Sequence, residues 1–190
     1  ANFNYAGGFF NLLNPFALVG GVLTVLAFIF HGSLFLILKT GDDLLERVKK
    51  VAQQIWLPAF GLLILVILIL NFSTRFFDSN HNTSFYVALV AVICLGLSGI
   101  MNRINKDKLA FLFSALSILF TMGAIFTGLF PNVLPADNGI NNLTIYNAAS
   151  GPTTLRTMTY ISLVLVPIVI AYQAWTYWIF RKRIIVNPSE

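Results

Sequence analysis

The Asp, Glu, Lys and Arg residues of this chain leave five long gaps. Residues 1–38, 51–74, 79–102, 109–136 and 157–180 contain none of them. Each gap is longer than the ~20 mostly apolar residues that cross the ~30 Å hydrocarbon core of a bilayer. Leu, Ile, Val and Phe fill most of every gap. A backbone in lipid has to satisfy its own hydrogen bonds, so segments of this kind fold as helices. The pattern predicts an all-α, polytopic transmembrane helix bundle of about five spans.

Composition excludes the soluble alternatives. The chain is 57% hydrophobic and 10% charged, with mean hydropathy +0.81, against about 25% charged residues in soluble domains. The net charge of +5 would suit nucleic acid, but the basic residues sit beside the apolar runs. That placement points to membrane topogenesis and to no nucleic-acid partner. The single cysteine, Cys94, lies inside a span, so there is neither a disulfide framework nor a thiolate cluster. No cleavable signal peptide is visible. The chain starts at Ala1 rather than Met and reads as a processed or partial polypeptide.

The threading follows from caps and charges. Asn14-Pro15 reads as an N-cap with proline at the first helical position, and a span then runs to about Leu38. The second helix starts amphipathic, with Leu44, Leu45, Val48, Val51 and Ile55 on one side. Asp43/Arg47 and Glu46/Lys50 form acid-to-base pairs on the other. It enters the bilayer near Trp56-Leu57-Pro58 and ends near Phe72. The third span covers about Phe85 to Met101, the fourth Leu109 to Phe130, and the fifth Leu155 to Phe180. Trp175, Tyr177 and Trp178 form an aromatic belt at the end of the fifth. Domain organisation is accordingly 1–40, an outer N-terminal segment with the first span, and 41–190, a four-helix transmembrane bundle with a long outer loop at 131–155. Lys39, Arg47, Lys49, Lys50, Arg103, Lys106, Lys108, Arg181, Lys182 and Arg183 lie in alternate connections and the tail, whereas the other connections hold only Arg75 and Arg156. By the positive-inside rule the first group is cytoplasmic, the N-terminus outside and the C-terminus inside.

Little in the spans could perform chemistry. His31 is the one ordinary ionisable group within them, and an intramembrane histidine can relay protons or ligate haem iron. The competing reading is a neutral imidazole hydrogen-bonded to a neighbouring helix. His81 lies in an outer connection, so a bis-histidine haem within the spans is excluded. Pairing with Met101, Met122 or Met158 has no support. Gly20, Thr24, Ala27 and His31 recur at helical spacing, and so do Ser114, Ser117, Thr121, Ala124 and Gly128. Both stripes predict faces for close helix packing. Tyr172 and Gln173 on the last span are expected to join hydrogen bonds between helices. Intramembrane carboxylates, a phosphate-cradling loop, a metal triad and a nucleophile–base pair are all missing from the pattern. No residue is therefore assigned as catalytic, cofactor-binding or metal-ligating. The candidates are polar or packing residues: His31, Gly20, Thr24, Ser114, Ser117, Thr121 and Gln173.

Three stretches carry a family resemblance. GGFFNLLNPFALVGGVLTVLAFIFHGSLFLILKT at 7–40 resembles a middle helix of subunit II of the cytochrome bd-type quinol oxidases. GLFPNVLPA at 128–136 and LTIYNAASGPTTLRTMTYISLVLVPIVIAYQAWTYWIF at 143–180 resemble that subunit's last loop and last helix. The likeness runs over nearly the whole chain, and over the C-terminal half or slightly more of a family subunit of about eight spans. It implies a prokaryotic cytoplasmic-membrane complex that oxidises ubiquinol or menaquinol, reduces dioxygen to water and generates proton motive force. It also implies that haem b and haem d sit in a partner, subunit I, with this chain as a haem-free partner in lipid, alongside small accessory single-span subunits. Acidic residues attributed to proton or dioxygen routes lie on early helices of the family subunit, and none is carried over. A subunit of a multispan transporter or channel is the alternative.

Overall fold

Five charge-poor segments become five α-helices in the computed structural model, which describes residues 15–73, 81–134 and 143–180. They are α1 (Pro15–Lys39), α2 (Asp42–Ser73), α3 (His81–Arg103), α4 (Asp107–Leu129) and α5 (Pro152–Ile179). The shortest have 23 residues, about 34 Å at 1.5 Å per residue, and all five are long and apolar enough to cross a membrane. The expected multi-pass helical architecture is therefore present. Asn14, the connection holding Arg75 and Asp78, Asp137 and the basic run 181–183 lie outside the described residues.

Helix ends are set by local chemistry. Thr40 closes α1, its N–H and its hydroxyl both donating to Leu36 O at 2.8 Å. The α3–α4 hairpin turns at Asn105, whose φ is 59°, a left-handed conformation that asparagine tolerates better than most residues. Two turn bonds fix it, Asn105 N–H to Asn102 O at 3.3 Å and Lys106 N–H to Met101 O at 2.9 Å. Lys49 on α2 donates to Asn105 Oδ1 at 2.8 Å and reaches 3.8 Å from Asp107 Oδ1. Among the described residues this is the ion pair that forms, in place of the expected Glu46/Lys50; the side chain of Asp43 is not described. Exposed pairs along one helix gain too little to hold their geometry.

α3 and α4 pack in one antiparallel register, recorded by serines on both helices. Ser98 Oγ donates to Ala110 O at 2.7 Å, Ser117 Oγ to Ala91 O at 2.9 Å and Ser84 Oγ to Thr127 Oγ1 at 3.2 Å. Small buried residues, among them Ala88, Ala91, Ala110 and Ala124, allow this approach. In lipid such packing and hydrogen bonding, rather than the hydrophobic effect, join helices. α1 packs on α2 and α4, and α2 on α3. Packing therefore runs across residue 40, with Phe30, Leu34, Ile37, Ala52, Leu63, Leu95 and Ala110 at the centre.

α2 is one continuous helix from its amphipathic start through Pro58. Its inward stripe is Leu45, Val48, Ala52, Ile55 and Ala59. Leu44 and Val51, expected on the same side, are exposed. The partner helix selects the positions spaced three and four apart that face it, and two of the five apolar residues fall off that line.

Two features were not legible beforehand. The 131–155 segment contains a short antiparallel ribbon, β1 (Asn132–Leu134) with β2 (Leu143–Thr144). α5 stands apart from the other four helices, with none of its residues buried. Lys39 Nζ of α1 donates to Phe180 O at 2.6 Å, just past the end of α5. The hydroxyls of Thr157, Thr159 and Thr176 donate to carbonyls of α5 itself, as suits a helix surrounded by lipid.

Candidate functional site

His31 and Ser114 were singled out separately, and the structure brings them together. α1 carries His31 to α4, where its Nδ1 lies 2.7 Å from Ser114 Oγ. The Phe111 ring stacks on the imidazole, with centroids 4.6 Å apart and planes 23° from parallel. Ser114 Oγ also donates to Phe111 O at 2.8 Å. A hydroxyl has one proton. Given to Phe111 O, it leaves Ser114 Oγ to accept from His31 Nδ1–H, so the network places a proton on Nδ1.

Above this contact the helices leave a cavity of about 420 Å³. Gly20, Thr24 and Ala27 of α1 line it, facing Ser117 and Thr121 of α4. The first stripe thus borders open space, and nothing lies within 4 Å of a Cβ added at Gly20. Its hydroxyls are turned into backbone: Thr24 donates to Gly20 O at 2.9 Å and Thr121 to Ser117 O at 2.8 Å. Ser117 donates to Ala91 O, leaving a wall that is almost wholly apolar. Gln173 sits exposed on α5, away from this cluster.

Haem ligation needs an available imidazole nitrogen and, in most low-spin sites, a second axial donor. His31 has one nitrogen committed to Ser114 and one face covered by Phe111. Among the described residues no group of three or more His, Cys, Asp or Glu converges on a point. Among the described residues no metal-ligand cluster forms, and the hydroxyl beside His31, Ser114 Oγ, gives its proton to Phe111 O rather than to the ring.

Sequence reasoning missed the anchor between α2 and α3. The sequence reads Trp56 as a marker of bilayer entry, and in the structure its Nε1–H donates to Leu95 O at 2.9 Å. Arg103 lies over its ring at 5.1 Å from the centroid, and Phe60 stacks on it at 5.6 Å. The indole fills the space left by Gly99, where an added Cβ would overlap it. Gly96 and Gly99, three residues apart in an otherwise apolar helix, were the available hint.

The matched family model is cytochrome bd terminal oxidase subunit II, over residues 1–180. The chain is 33% identical over 173 residues to cytochrome bd ubiquinol oxidase subunit 2 of Bacillus subtilis (strain 168), covering 90% of this chain and 51% of that protein. It is 31% identical over 216 aligned positions to cytochrome bd-I ubiquinol oxidase subunit 2 of Escherichia coli (strain K12), covering 98% and 57% respectively. A probable cytochrome oxidase subunit 2 of Haemophilus influenzae is 28% identical over 203 positions. The chain spans about half the length of the curated relatives it matches.

Proposed function

The chain belongs to the cytochrome bd terminal oxidase subunit II family, and from that premise we propose that it is a haem-free membrane subunit of a bd-type quinol oxidase. In this reading it holds a subunit I that carries haem b and haem d and passes electrons from quinol to dioxygen, generating proton motive force. The observation that carries the reading is the family match over residues 1–180. The haem-free role is supported by the donor set, since among the described residues no group of three or more His, Cys, Asp or Glu converges. α5 supports a role in assembly, since none of its residues is buried among the described residues and its apolar length is left exposed. Purification through an affinity tag on this chain is expected to recover a second, haem-bearing polypeptide together with quinol-dependent oxygen consumption. A preparation with a transport partner and no haem would replace this reading with the transporter alternative.

His31 acts as a packing residue in this proposal. His31→Gln keeps a side-chain donor for Ser114, and intramembrane hydrogen bonds average only about 0.6 kcal/mol. Oxygen consumption and the haem spectrum of the assembled complex are expected to stay close to wild type. A lost haem band with intact subunit stoichiometry would make His31 a ligand.

The chain sits in the prokaryotic cytoplasmic membrane with the α3–α4 turn inside and the β1–β2 ribbon outside, a sidedness supported by the basic residues at that turn. In a Cys94→Ser background, Ser150→Cys is expected to react with an impermeant maleimide in intact cells, and Ile104→Cys only after lysis. The reverse pattern would invert the topology.

A further inference from the structure

The β1–β2 ribbon has two unlike faces. Asn132 pairs with Thr144, and Leu134 with Leu143, across an irregularity at Val133. The pairing continues one step further through Ile145 N–H to Pro131 O at 3.0 Å. Side chains alternate along a strand, so Thr144 and its partner Asn132 share one face and Leu143 lies on the other, with Val133 at the irregularity and Ile145 just past the end of β2. The first face is polar and partly covered. There Asn147 Oδ1 accepts from Thr144 N–H at 2.7 Å, and Thr144 Oγ1 accepts from Asn147 N–H at 3.3 Å. Leu143 on the second face is apolar and exposed, and so are the neighbouring Val133 and Ile145. Tyr146 follows them and is 76% exposed.

Three observations say what covers that face. The ribbon starts within a few residues of the end of α4 and closes shortly before α5 begins, so it sits where the chain leaves the hydrocarbon layer. The described residues 130–134 and 143–151 carry no charge. The ribbon also follows an exposed apolar stripe at heptad spacing on α4, Leu112, Leu119 and Phe126, and exposed Phe130 lies between the two in the chain. Aromatic and apolar side chains at such a boundary settle at the headgroup level, where an amphipathic element buries its apolar face ~5–10 Å into the interface. We propose that the β1–β2 ribbon is a membrane-interface anchor, with Val133, Leu143, Ile145 and Tyr146 in the headgroup–acyl boundary of the adjoining leaflet and Asn132 and Thr144 toward water. This depends on neither the sidedness nor the haem-free role.

The test uses the full chain with Cys94→Ser in vesicles of phosphatidylcholine and phosphatidylglycerol, spin-labelled at Leu143→Cys or at Asn132→Cys. Collision rates with oxygen, which concentrates in lipid, are compared with those of a water-soluble nickel chelate present on both sides. The expected result is an oxygen-to-nickel ratio several-fold higher at 143 than at 132. Ile145→Cys reads a second exposed apolar position proposed for the same boundary if Leu143→Cys does not insert. Equal, nickel-accessible labels on both faces would place the ribbon in water and overturn the proposal. Labels at 143 and 145 shielded from both relaxants would mean that protein covers the face, and would overturn it as well.

Discussion

Gly99→Leu is expected to remove most of the folded protein. A Cβ at residue 99 overlaps the Trp56 indole, so any larger side chain drives the ring from its seat between α2 and α3. Three contributions go with it. The first is overpacking, typically 1–3 kcal/mol in a close-packed interior. The second is the Trp56 Nε1–Leu95 O bond, worth about 0.6 kcal/mol or more inside a bilayer. The third is the Arg103 contact over the ring, about 0.5–1 kcal/mol at an exposed site. Together they approach the ~5–15 kcal/mol by which whole proteins are stable. Monodisperse yield after detergent extraction and the thermal midpoint are the readouts, and both should fall sharply. Gly99→Ala should lose less and be partly rescued by Trp56→Leu, because that change removes the atoms the new methyl meets. Gly61→Ala is the contrasting control. It has nothing within 4 Å of an added Cβ and should be neutral or slightly stabilising, since glycine costs up to ~1 kcal/mol in a helix interior. Wild-type yield and midpoint for Gly99→Leu would show that the indole does not occupy that seat.

The reach of the sequence can be judged from the same residues. Charge-free runs located all five helices to within about one turn, because in lipid the choice between helix and loop is settled by backbone hydrogen bonding alone. Partner choice was not legible. Gly20–Thr24–Ala27 and Ser114–Ser117–Thr121 look alike as small-residue stripes and line the same cavity, yet Ser117 bonds directly to α3 whereas Thr24 bonds back to its own helix. Small residues permit approach without naming the neighbour. The His31–Ser114 contact links residues 83 apart, and no periodicity within one helix encodes such a pair. The stripe on α2 was read partly on the wrong residues for the same reason, Leu44 and Val51 being as apolar as the positions that do pack. The ribbon escaped notice because its strands, of three and two residues, are too short for alternation to stand out among Asn, Gly and Pro.

The role assigned to the chain turns on where the haem resides. Its spans carry no carboxylate and one histidine, and that histidine is held by Ser114 and Phe111. Under the proposed function, redox chemistry in the assembly is expected to come from the partner, with this chain supplying packed apolar helices. The most direct measurement is the absorption spectrum of the chain purified alone, set beside that of the complex recovered through the same tag. The account predicts no Soret band for the isolated, monodisperse chain, and haem absorption with quinol-dependent oxygen uptake for the complex. Stoichiometric haem on the isolated chain would contradict it, as would a complex without haem.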